Sequence, residues 1–197
     1  MIVGLTGGIG SGKTTVANFF EDLDVPIYIS DTEAKRLMNV SPEIRREIVQ
    51  LLGPDSYTSD GLNRKYIAGK VFQDNTLLQQ LNAIVHPRVA INFANWYKQQ
   101  DSPYVIKEAA ILFENGGYRD CDFMILVTAP MQDRISRLKK RDQSSEEEIR
   151  DRMDAQWDDA KKTALSDITI ENSILEETKR KVLRIHNHLL LRITNNW

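Results

Sequence analysis

Met1-Ile-Val-Gly-Leu-Thr-Gly-Gly-Ile-Gly-Ser-Gly-Lys-Thr-Thr15 opens the chain and decides how the rest is read. Gly7, Gly12, Lys13 and Thr14 fill the pattern G-x-x-x-x-G-K-[ST]. Ile2, Val3 and Leu5 before the loop read as a strand, whereas Val16, Phe19, Phe20 and Leu23 after it share one face of a helix. Strand, glycine loop and helix in this order predict a cradle for a nucleoside triphosphate. Gly8, Gly10, Ser11 and Gly12 let backbone N–H groups turn inward, and the helix start adds free N–H groups and the positive end of its dipole. Lys13 is placed to reach the β and γ phosphates, the Thr14 hydroxyl to help hold Mg²⁺, and the Thr15 hydroxyl to meet the α-phosphate. A ligand-free glycine turn is the competing reading, and placement between strand and helix weighs against it.

The chain has 197 residues, enough for one domain, or one domain with insertions, around a substantial core. A formal net charge of −2 argues against nucleic acid or a membrane surface as a general partner. Cys121 is the sole cysteine, which rules out an intrachain disulfide and suits the cytoplasm. No apolar run reaches membrane-spanning length. The opening residues lack a basic leader, so a cleaved signal peptide is not expected.

Val25–Ile29 reads as a second strand ending at Ser30-Asp31. An acid just past that strand's carboxyl end lies on the ligand side of such a sheet. Asp31 is equally suited to cap the helical pattern that starts at Thr32. Residues 32–102 read as helical without a convincing strand. Their stripes are Ile44, Ile48, Leu51 and Leu52, then Tyr66, Ile67 and Val71, then Leu77, Leu78, Leu81, Ile84 and Val85. His86-Pro87 predicts a halt, with a further helix carrying Val89, Phe93, Trp96 and Tyr97. His86 fits either an acceptor contact or a hydrogen bond to a nearby carbonyl. His186 and His188 lie two apart on a helix and do not form a metal pair.

Tyr104–Phe113 holds the third core strand, with Glu108 near its end and Glu114 beyond, each able to hold Mg²⁺ through water or to orient a sugar hydroxyl. Asp122–Thr128 has the continuous apolar run of a buried parallel strand. Arg137 and Arg141 then share a helix face, and Ser145-x-x-Glu148 is a capping box after a break at 142–144. Arginine-bearing helix, turn and helix make either a lid over phosphates or a solvated charged pair. Ile168–Ile170 is the last short strand, followed by Asn172, a long amphipathic helix and a frayed end at 195–197.

Taken together these residues resemble the dephospho-CoA kinase family over nearly the whole chain. The resemblance rests on Leu5–Thr15, Asp31 with Ala34 and Leu37, and Leu81-Asn-Ala-Ile-Val-His-Pro87. It continues in Ile111-Leu-Phe-Glu114, Arg137 with Arg141-Asp142, Arg152 with Gln156, and Asp167–Asn172. It implies an α/β P-loop NTPase-type three-layer sandwich, a parallel sheet flanked by helices. The core would comprise 1–31, 103–131 and 164–197, with a helical acceptor-binding insertion at 32–102 and a lid at 132–163. It implies ATP and Mg²⁺ as cofactors, dephospho-CoA as the small-molecule substrate, and a monomer or weak homo-oligomer. Asp31 corresponds to the catalytic base, and Lys13, Arg137 and Arg141 to the groups that meet the phosphates. His86 and Glu114 correspond to acceptor contacts, and Asn172 lies in the segment near the adenine. Three positions depart from the family pattern: Ala110 stands where proline is usual, Glu108 where aspartate is common, and Ser166 where alanine is usual.

Other uses of a phosphate loop fit less well. A GTP-dependent switch needs Asp-x-x-Gly and Asn-Lys-x-Asp segments, and neither occurs. Adenylate-kinase-like loops carry proline at the position of Gly8. A nucleotide-binding interaction protein without turnover has no need of Lys13, Thr14, Asp31 and an arginine pair together.

Overall fold

Val3 and Leu5 lie at the centre of a five-stranded parallel sheet in a computed structural model that describes residues 1–71, 74–142 and 145–195. In spatial order the strands are β2 (Ile27–Ile29), β5 (Val105–Glu108), β1 (Ile2–Thr6), β6 (Phe123–Thr128) and β7 (Ile168–Glu171). Every pairing is parallel, with Leu5 opposite Glu108 on one side and Ile125 on the other. This sheet belongs to a unit formed by Met1–Ile29 with Gln100–Trp197; Ser30–Gln99 form a second.

Both faces of the sheet are covered, which is why its strands read as unbroken apolar runs. Phe123, Ile125 and Val127 of β6 pack with Val16, Ala17 and Phe20 of α1 (Lys13–Glu21) and Val182, Ile185 and Leu189 of α9 (Leu175–Thr194). Met124 points the other way, into a cluster with Ala109, Leu112 and Phe113. Each such large side chain contributes about 1.5–3 kcal/mol by leaving water. Cys121 borders the same cluster, and burial pushes its thiol up to about 11 although Lys107 opposes the shift. The native thiol should therefore react with a thiol reagent at pH 8 about a hundredfold more slowly than the unfolded chain. Equal rates would contradict this packing.

The charged block forms α6 (Met131–Asp142), and α7 (Glu146–Asp154) follows. Ser145 and Glu148 make the reciprocal capping box that their spacing predicts. Of the expected break, Gln143 and Ser144 lie outside the described residues, as do Asn196 and Trp197 of the expected frayed end. Asn195 still donates its N–H to Leu191 O at 3.0 Å. Ile135, Leu138, Ile149 and Met153 close the two helices on a small core of their own, against which Ile9 packs.

The second unit is mainly helical: α2 (Ser30–Val40), α3 (Pro42–Leu52), α4 (Arg64–Val71) and α5 (Asn75–Tyr97). This unit departs from the sequence expectations at two places. A two-stranded hairpin, β3 (Tyr57–Thr58) with β4 (Gly61–Leu62), lies where no strand was read, because two-residue strands are too short to show a period. The halt at His86-Pro87 does not occur either: α5 runs through Pro87. Leu81, Val85, Val89 and Phe93 form one buried stripe on both sides of the proline. Burying Val89 and Phe93 at about 1.5–3 kcal/mol each offsets the roughly 3 kcal/mol cost of an internal proline. Arg88 also donates its guanidinium to Ile84 O at 2.8 Å, next to the Ala83 carbonyl whose helix donor the proline removes.

Candidate active site

β1 delivers the chain into the loop beneath the start of α1. Gly7 passes so close to β6 that an added Cβ would stand 2.2 Å from the Val127 carbonyl oxygen. A backbone atom in a central strand cannot step aside, so Gly7→Ala should destabilise the fold by roughly 3 kcal/mol, read as a shifted urea midpoint. A change below about 0.5 kcal/mol would contradict the close approach. Gly12 caps α1 in the left-handed region at φ 91° and abuts the Asn172 amide. The Lys13 ammonium donates to Gly7 O at 3.0 Å and so lies back across the loop. Thr14 is exposed in the first turn of α1, and Thr15 follows it half-buried.

Side chains hold the loop from behind. The Arg137 guanidinium donates to Gly10 O at 3.4 Å, Ser11 O at 3.2 Å and Asn172 O at 2.7 Å. The buried Asn172 amide donates to Ser11 O at 2.9 Å and accepts from the Thr178 hydroxyl at 3.2 Å. Arg134 is buried, donates Nε to Ile9 O at 2.9 Å and pairs with Asp159 at 3.3 Å. Gln156 Oε1 accepts from the Ile9 N–H at 2.8 Å. Arg134 escaped the sequence reading; its only trace was a place on α6 one turn before Arg137.

The carboxylates separate. Glu108 is buried at the end of β5. Glu114 Oε1 accepts from the Trp157 N–H at 3.1 Å and faces the fully buried Lys162 ammonium at 2.8 Å. Neither Trp157 nor Lys162 was singled out by sequence. Arg141 is exposed and paired with Asp142 at 2.6 Å, which Arg152 also contacts at 2.9 Å. The hydrogen bond from Arg141, reinforced by Arg152, holds the Asp142 carboxyl down at about 2. Of the departures from the family pattern, Ser166 donates its hydroxyl to Lys162 O at 2.7 Å, and Ala110 O accepts from Thr6 at 3.4 Å.

Within the helical unit, Asp31 lies exposed in the first turn of α2 and is not its cap, since the helix already begins at Ser30. Its charge favours that helix end. α2 packs on α5, and His86 of α5 feels the Asp31 carboxylate. Crowding by protein atoms lowers the imidazole pKa, and Asp31 opposes that shift. Two residues read separately from sequence are thus brought together. Among the described residues no three His, Cys, Asp or Glu side chains form a metal cage. Mg²⁺ does not require one: it takes one or two protein ligands beside phosphate oxygens and water, and an exposed hydroxyl at a helix start, as in Thr14, fits that demand. His186 is used structurally, hydrogen-bonded to the Tyr104 hydroxyl at 2.8 Å.

A glycine loop leaving the middle strand of a parallel sheet ordered β2-β5-β1-β6-β7, with a lysine folded over it, is the architecture of the P-loop kinases. Similarity along the sequence narrows the class. The chain belongs to the dephospho-CoA kinase family, whose model matches residues 1–177. The dephospho-CoA kinase of Bacteroides fragilis is 37% identical over 171 residues, 86% of this chain and 83% of that protein. A crystal structure of a Thermus thermophilus protein superposes with a TM-score of 0.87 at 30% identity, over 95% of this chain and 96% of the other. The Campylobacter jejuni dephospho-CoA kinase shares the fold, with a TM-score of 0.72 at 19% identity over 100% and 98% of the two chains. Among the described residues no helix is long and apolar enough to cross a membrane.

Proposed function

We propose that the protein transfers the γ-phosphoryl group of ATP to the 3′-hydroxyl of the ribose of dephospho-CoA, giving coenzyme A and ADP. The observation that carries this reading is the family match over residues 1–177, which spans the phosphate loop and the helical unit alike. In the reaction the bond from the γ-phosphorus to the β–γ bridging oxygen breaks and a bond to the ribose 3′-oxygen forms. ADP leaves, and the hydroxyl proton passes to Asp31. The N–H groups of Gly8 to Thr15 and the Lys13 ammonium hold the phosphates as charge spreads over the γ-oxygens. Thr14, and Glu108 through water, would hold Mg²⁺, which when bound would supply further neutralisation of the phosphate charge.

Arg137 and Arg141 add positive charge from the lid, Arg137 from behind the loop carbonyls. His86 beside Asp31, with Glu114, contributes to acceptor recognition, and Asn172 bounds the nucleotide side. The segment 32–102 is read as the acceptor-binding insertion and 132–163 as the lid. The reading also takes the cytoplasm as the compartment, a monomer or weak homo-oligomer, and no nucleic-acid or membrane partner. Steady-state assays with ATP and a panel of dephospho-CoA, adenosine monophosphate and gluconate test the acceptor. A preference for dephospho-CoA of at least about a hundredfold in kcat/KM is expected, since a site built around an acceptor's polar groups rejects others strongly. Preference for another member of the panel would overturn the assignment.

A further inference from the structure

Ile9 is the one bulky residue between Gly7 and Gly12, and each of its groups is taken by the segment after β6. Its side chain packs on the core of Ile135, Leu138, Ile149 and Met153. Its N–H goes to Gln156 and its carbonyl to Arg134. No peptide bond in the described chain is cis, so the C=O and N–H of each unit point in opposite directions. Fixing one end of a unit therefore aims the other.

From this geometry we infer that Arg134 and Gln156 are positioning residues that set the peptide planes on either side of Ile9 and so aim the Gly10 N–H at a nucleotide phosphate. Arg134 draws the Ile9 carbonyl outward, which turns the Gly10 N–H to the opposite side. Gln156 draws the Ile9 N–H outward, which turns Gly8 O away from Gln156, where the Ser11 N–H meets it at 3.1 Å. Space for Arg134 exists because position 8 has no Cβ: one added there would stand 2.2 Å from the guanidinium NH2. Asp159 holds that guanidinium from its other side. A loop rich in glycine is soft by itself, and these two side chains supply rigidity without touching the nucleotide.

The inference rests on the nucleotide-binding part of the proposed function and not on the acceptor. Its test is calorimetric titration of the full chain with ATP and Mg²⁺, for wild type, Arg134→Met, Gln156→Met and Gln156→Glu, beside thermal melting of each. Each methionine variant should bind ATP about tenfold more weakly, the loss set by one or two oriented hydrogen bonds. Gln156→Glu keeps an acceptor oxygen for the Ile9 N–H and should recover binding to within about threefold, less than one hydrogen bond's worth. In steady-state assays the KM for ATP should rise while the KM for the acceptor stays. The inference is overturned if Gln156→Met and Gln156→Glu bind ATP alike, or if affinity follows melting temperature across the set. Wild-type protein that binds ATP yet ignores dephospho-CoA would sink the acceptor assignment and leave this inference standing.

Discussion

Asp31→Asn should bind ATP as tightly as the wild type and lose turnover about 10²–10⁴-fold, the span of general-base assistance. The substitution keeps size and hydrogen bonding but removes the charge that takes the hydroxyl proton. Asp31 is exposed in the first turn of α2, so losing its charge at that helix end and beside His86 should cost the fold no more than about 1 kcal/mol. The KM for dephospho-CoA should also stay within a few-fold of wild type, since the base acts mainly in the transition state. Near-normal kcat in this variant would remove Asp31 from its role. A collapse of ATP affinity would instead place it at the nucleotide.

Lys13→Ala is expected to lose about 10²–10³-fold in kcat, the usual cost of deleting a preorganised donor to developing charge. Unlike Asp31→Asn, it should weaken ATP binding as well, and the loss should extend to slow hydrolysis by water as well as transfer to the acceptor. The two variants thus separate phosphate binding from proton removal. Lys13 is half-buried at the start of α1, with Gly7 O beneath its ammonium, so the helix should persist in circular dichroism. Retained transfer with retained ATP affinity would contradict the placement of the triphosphate in this loop.

Short-range physics made much of this protein legible from its sequence. The strand, glycine loop and helix at 1–21 were readable because loop chemistry and helical period are local, although Leu23, read onto the helix face, lies in the turn after it; the Ser145 capping box was readable for the same reason. β6 betrayed itself because both of its faces are buried. Pro87 misled because the rule against internal proline is local, whereas the stripe that outweighs it belongs to the packing of α5 in its unit. The contacts of Arg134 and Gln156 were opaque for a further reason, although Gln156 stood in a motif that could be read. The two side chains reach Ile9 across 125 and 147 residues, and no spacing along the chain encodes such a contact. Glu114 shows the same limit: its motif was visible, but its partner Lys162, 48 positions on, was not.

Phosphoryl transfer to the ribose is decided by following the phosphorus itself. ATP labelled at the γ-phosphate is incubated with the protein, Mg²⁺ and dephospho-CoA, and the product is fragmented to locate the label. Label is expected on the 3′-oxygen of the ribose, one equivalent for each ADP formed. Label recovered only as inorganic phosphate, or on any other atom of the acceptor, would contradict that transfer.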